Sequence, residues 1–106
     1  MYAIIYTFKV KEGMEETFIQ SWKTMTQLIY EYENSFGSRL HRSEENVFLA
    51  YALWPDKQTF ENAGGNLPDE AKNVRFKMRE SCIDIQTQFK MPVVEDMLRN
   101  EQNKNP

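Results

Sequence analysis

Tyr2, Ile4, Tyr6, Phe8 and Val10 alternate with Ala3, Ile5, Thr7 and Lys9. β-Branched and aromatic residues at period two predict a strand, and apolar residues on both sides near its start predict a central one. Lys11-Glu12-Gly13 predicts a turn. Over residues 14–33 the period lengthens to three and four. Met14, Phe18, Trp22, Met25, Ile29 and Tyr32 then share one face of a long amphipathic helix. Glu15 and Glu16 suit the positive N-terminal end of that helix. Asn34, Ser35 and Gly37 end it.

A β-hairpin follows: Gly37-Ser38-Arg39-Leu40-His41-Arg42, a polar turn at Ser43-Glu44-Glu45-Asn46, then Val47-Phe48-Leu49-Ala50-Tyr51-Ala52-Leu53-Trp54. With that four-residue turn, Phe36, Leu40, Leu49, Tyr51 and Leu53 share one face. Gly37, Arg39, His41, Phe48, Ala50, Ala52 and Trp54 share the other, which mixes small, polar and aromatic side chains as a ligand pocket does. A three- or five-residue loop would exchange the faces, because side chains alternate along a strand.

After Pro55, Asp56 is placed to cap a short helix over 57–63, broken by Gly64-Gly65-Asn66. Leu67-Pro68-Asp69-Glu70 opens another helix. Its apolar face is Ala71, Val74, Met78 and Cys82, with Phe76 off that face and exposed. From Ile83 the period returns to two through Ile85, Thr87, Phe89, Met91 and Val93. Pro92 within this run predicts an edge strand. Met14, Met25, Met78, Met91 and Met97 read as core filling, and residues 99–106 as a polar frayed tail.

Strand, helix, strand, strand, helix pair, strand is two β-α-β units on one antiparallel sheet. That is a ferredoxin-like α+β sandwich, with one domain over residues 1–98. Helices on one face leave the other sheet face bare, and a second copy of the chain is the economical cover for it.

Composition narrows the function. Among 106 residues the net charge is −3 and no Lys/Arg block dominates, which argues against nucleic acid. No apolar run approaches the roughly 20 residues that span a bilayer, so no membrane role is expected. Cys82 and His41 are the sole cysteine and histidine. Neither a disulfide nor a metal site of soft ligands is expected, and a reducing cytoplasm is the natural compartment.

Phe8-Lys9-Val10-Lys11-Glu12-Gly13 before the long helix, Gly37 to Arg42, and Ala50-Tyr51-Ala52-Leu53-Trp54-Pro55-Asp56 together resemble the antibiotic biosynthesis monooxygenase-like family. The resemblance implies a homodimeric α/β barrel with a pocket between sheet and helices in each subunit. Some members oxidise aromatic phenols or quinols with O₂ and no cofactor, and others bind haem. The haem branch uses a Trp in the short helix and a ligating His in the next helix. This chain offers Phe60, Glu61 and Asn62 in the first place and no histidine in the second.

The expected function is a cofactor-independent monooxygenase acting on a small aromatic or quinol-like substrate. The alternative is a non-catalytic dimeric barrel that binds a small hydrophobic ligand or serves in sensing or assembly. His41 has the one side chain whose ordinary pKa lies near neutrality, so it is the candidate base, with Arg39 stabilising the substrate anion. Trp54 and Phe48 are candidates to stack on the substrate, and Asn62 to sit at the pocket mouth. Each has a plainer use: wet strand face for His41 and Arg39, core for the aromatics, a helix cap for Asn62.

Overall fold

The computed structural model of the chain describes residues 1–99. The tail expected over 99–106 lies, but for Arg99, outside the described residues. Seven elements follow in order: β1 (Tyr2–Val10), α1 (Glu15–Glu33), β2 (Gly37–Glu44), β3 (Val47–Trp54), α2 (Lys57–Glu61), α3 (Glu70–Glu80) and β4 (Cys82–Pro92). The four strands form one antiparallel sheet in the order β2-β3-β1-β4, with the helices on one face. This is the expected ferredoxin-like α+β fold, with β1 central and β4 at an edge.

Three apolar clusters hold the helices on the sheet and on one another. In the first, Phe18 of α1 is fully buried, its ring 4.9 Å from Phe8 and 5.0 Å from Phe48. Truncating a residue so placed costs about 3–5 kcal/mol. In the second, Tyr2, Ile4, Ala52 and Trp54 lie under Phe60 of α2. In the third, Met25 and Leu28 of α1 clasp Ala71 of α3. Asp56 caps α2 as expected, its Oδ1 accepting from the Thr59 amide at 2.7 Å. Glu33 is buried at the C-terminal end of α1. Its carboxylate accepts from the amides of Gly64 and Asn66 at 2.7 and 3.0 Å, and from Asn66 Nδ2 at 3.2 Å.

The hairpin differs from expectation. β2 runs on to Glu44, leaving a tight turn at Glu45-Asn46 with Asn46 at φ 65°. The pairing slips at Ser43: Arg42 faces Phe48, but Glu44 faces Val47. Arg39 therefore pairs with Tyr51, His41 with Leu49, and Leu40 with Ala50. Phe48, Ala50, Ala52 and Trp54 keep their common face towards the helices, joined there by Ser38, Leu40 and Arg42 rather than by Arg39 and His41.

β4 breaks its period as well. A register shift beside Gln88 turns Ile85 and Thr87 towards the helices, while Phe89 and Met91 turn away. Met91 and Met97 are exposed and do not fill the core, whereas Met25 is buried. The short helix stops at Glu61, two residues early, and Cys82 begins β4 instead of closing the α3 face.

Candidate functional site

A cavity of about 350 Å³ lies between the sheet and helices α1 and α3. That is towards the small end of ligand sites, which run from about 300 to 1,000 Å³. Its floor is low because Ser38 and Ala52, directly paired across β2 and β3, are both small. Larger side chains stand round them: Tyr6 from β1, Trp22 and Ile29 from α1, Trp54 from β3 and Met78 from α3. Two indoles and a phenol give flat apolar walls suited to an aromatic guest.

The polar groups are few. Ser38 Oγ donates to the Tyr51 carbonyl at 3.1 Å. Ser35 Oγ donates to the Leu53 carbonyl at 3.4 Å and accepts from the Gly37 amide at 2.8 Å. Both hydroxyls are thus held by the backbone. Trp54 is 5% exposed, yet its Nε1–H has no partner. An unpaired buried donor costs about 1–3 kcal/mol, and an acceptor on a bound guest would recover that cost. Burial raises the pKa of Tyr6, so its phenol stays neutral and can donate throughout the neutral range.

The charge on the walls is all of one sign. Arg75 and Arg79, one turn apart on α3, line the cavity, and among the described residues no Asp, Glu or His does. Arg75 is half-buried in the wall and Arg79 is exposed at the mouth. Among the described residues, no three of His, Cys, Asp and Glu cluster as a metal site would require.

Of the residues singled out from sequence, Trp54 is in the wall. Phe48 faces the helices but is packed in the core, between Phe18 and the guanidinium of Arg42, which sits 4.6 Å from its ring centre. Asn62 is the exposed C-cap of α2, its amide donating to the carbonyls of Gln58 and Phe60. Arg39 and His41 are exposed on the opposite sheet face, the consequence of the one-residue slip in pairing at Ser43. The cavity does not bring these two together with Trp54. Arg75 and Arg79 carried a legible signal that the apolar pattern masked. Arg75 lies four residues after the buried Ala71 and Arg79 four after Arg75, so the two continue the row that Ala71 starts along the helix.

The family model for antibiotic biosynthesis monooxygenases matches residues 1–66. The chain belongs to the antibiotic biosynthesis monooxygenase family. No match was found among curated proteins. Solved structures share the fold. SnoaB, a cofactor-independent oxygenase from Streptomyces nogalater, was solved as a variant; it is 14% identical with a TM-score of 0.73, the match covering 92% of this chain and 97% of that one. A Caulobacter crescentus protein provisionally described as an antibiotic biosynthesis monooxygenase is 18% identical with a TM-score of 0.73, covering 89% and 90%. The monooxygenase family match ends before α3 and β4. It covers the Tyr6, Trp22 and Trp54 walls but not the arginine wall.

No helix among the described residues is long and apolar enough to cross a membrane.

Proposed function

We propose that this chain is a cofactor-independent monooxygenase that oxidises a small phenolic or quinol-like aromatic within the cavity. The observation that carries the proposal is the aromatic-walled cavity with the buried, unpartnered Trp54 Nε1–H, in a chain of the monooxygenase family. Trp22 and Trp54 flank the guest, and the Trp54 and Tyr6 donors meet its oxygen.

The reaction balances without an external reductant when a phenol becomes a quinone. One atom of O₂ becomes the new carbonyl oxygen, and the other leaves as water with the phenolic and ring hydrogens. The substrate supplies all four electrons. Ionising the phenol makes the ring electron-rich enough to pass an electron to O₂, and donors aimed at the aryl oxygen stabilise that state. His41 lies on the far side of the sheet, so the ionisation falls to the cavity's own electrostatics.

The test is oxygen uptake by the purified protein with 1,5-dihydroxynaphthalene, which becomes a 1,4-quinone only by gaining an oxygen atom. One O₂ consumed per quinone formed, with loss of uptake in Trp54→Ala, supports the proposal. Saturable binding with no uptake by the folded protein overturns it. That outcome would favour a non-catalytic ligand-binding barrel, a reading supported by the lack of any His or carboxylate in the walls among the described residues.

We further propose that a second copy covers the bare sheet face. Ile5, Leu49, Tyr51 and Leu53 are only half-buried there, and Phe89 is 58% exposed. Light scattering should give twice the chain mass, and Leu49→Arg should halve it. A monomeric native protein would refute the dimer.

A further inference from the structure

We infer that Arg75 and Arg79 form an anion subsite, so that the cavity selects aromatic molecules carrying an oxyanion, either a carboxylate or an ionised phenol. This rests on the cavity being the substrate site proposed above, but not on turnover.

The argument is one of charge and placement. Arg75 and Arg79, one turn apart on α3, both line one cavity, Arg75 half-buried in its wall and Arg79 exposed at its mouth. Helices α1 and α2 and strands β2, β3 and β4 place no charged group in its walls, and β1 contributes only the Tyr6 phenol. Among the described residues neither arginine has an ion-pair or hydrogen-bonding partner; the ion pair that does form is Lys57–Glu61, at 3.9 Å on the surface. Arginine placed inward usually meets a carboxylate, because its planar fork binds one through two parallel hydrogen bonds. Among the described residues none is provided, and the space that these two side chains line is a cavity of ligand size. Trp54, whose buried Nε1–H has no partner, lines the same cavity. The Thr26 and Thr87 hydroxyls, also in the walls, can donate or accept, so the groups that only donate are the guanidiniums and the indole, and what completes them is an acceptor bearing negative charge.

A cationic wall also accounts for the missing base. A guest phenol brought against the guanidiniums loses its proton more readily, since a nearby positive charge favours the ionised form. The proton passes to solvent at the Arg79 mouth, and no residue need accept it. In this role Arg75 and Arg79 touch the substrate and are catalytic.

The experiment measures binding to the intact protein by quenching of Trp22 and Trp54 fluorescence. The probes are 2-naphthoate, its neutral isostere 2-naphthamide, and 4-nitro-1-naphthol, whose absorbance reports its ionisation. Naphthoate should bind at least tenfold more tightly than naphthamide. The double variant Arg75→Gln/Arg79→Gln should reduce that preference to within twofold while leaving naphthamide affinity unchanged. Lys72→Gln, on the exposed side of the same helix, should alter neither. Bound nitronaphthol should ionise at least one pH unit lower than in water and revert in the double variant. A naphthoate preference without that shift also supports the subsite, and assigns it to an acidic substituent rather than the reacting oxygen. Equal affinities for naphthoate and naphthamide, or a preference that survives in a folded double variant, would overturn the inference. Absence of oxygen uptake alongside an intact naphthoate preference would defeat the oxygenase proposal and leave the subsite standing.

Discussion

Replacing Glu33 tests whether the loop carrying the chain from α2 to α3 is fastened by one buried carboxylate. Glu33 is 4% exposed and accepts three hydrogen bonds, at 2.7, 3.0 and 3.2 Å. Bonds to a charged acceptor contribute about 1.5–3 kcal/mol each. Two considerations lower the sum. The third bond is long, and Gly64 and Asn66 are exposed, so water can replace part of what their donors lose. Gly64 also holds φ at 115°, a conformation the clamp helps to maintain.

Glu33→Ala should therefore cost about 2–4 kcal/mol. Glu33→Gln keeps one acceptor oxygen for the backbone amides and should cost about half as much. Urea unfolding followed by circular dichroism measures both, and an unchanged slope with a lower midpoint marks a change in stability alone. Amide exchange should quicken first at Gly64 and Asn66. A Glu33→Ala midpoint within about 0.5 kcal/mol of the native protein, the range of an ordinary surface change, would refute the reasoning. The clamp bears on function because it holds the segment that delivers α3, and with it Arg75, to the cavity.

Trp54→Phe removes a buried donor that has no partner, so stability should fall by no more than about 1 kcal/mol; affinity for 2-naphthoate should nonetheless drop about fivefold, as fluorescence quenching of the remaining Trp22 would report. His41→Ala should leave that affinity within twofold, since the side chain lies across the sheet from the cavity; a larger loss would mean that the bare face communicates with the site. The Asp56 carboxylate is held below its ordinary value by the Thr59 amide, so its stabilisation is present above the unfolded pKa and lost as pH falls through the lower folded value. Asp56→Asn should thus be less stable than the native protein at pH 6 and match it in strong acid, as paired thermal melts would show. Tyr6 has the opposite sign: burial raises its pKa, so its contribution is complete below about pH 10 and lost as pH climbs through the folded value. Part of the alkaline loss of stability should vanish in Tyr6→Phe.

The fold was readable because its signals repeat. Five alternating residues in β1 and six apolar positions at helical spacing in α1 outvote any single exception. The site depended instead on one residue of loop length. A bulge at Ser43 is worth little energy and leaves no mark in the hydrophobic pattern, because β2 is polar on both faces beyond Leu40. Yet it moves Arg39 and His41 from the cavity side of the sheet to the other. The shift beside Gln88 acts on β4 in the same way, sending Thr87 to the cavity and Phe89 out. Trp54 survived the error because β3 is continuous and central-facing, with every second residue from Phe48 onward buried. Arg75 and Arg79 went unread for a different reason. On a helix face chosen for its apolar residues, an arginine is taken for a neighbour that snorkels to water. Only the absence of any carboxylate across from the pair makes them a site, and that absence belongs to α1 and the sheet rather than to α3.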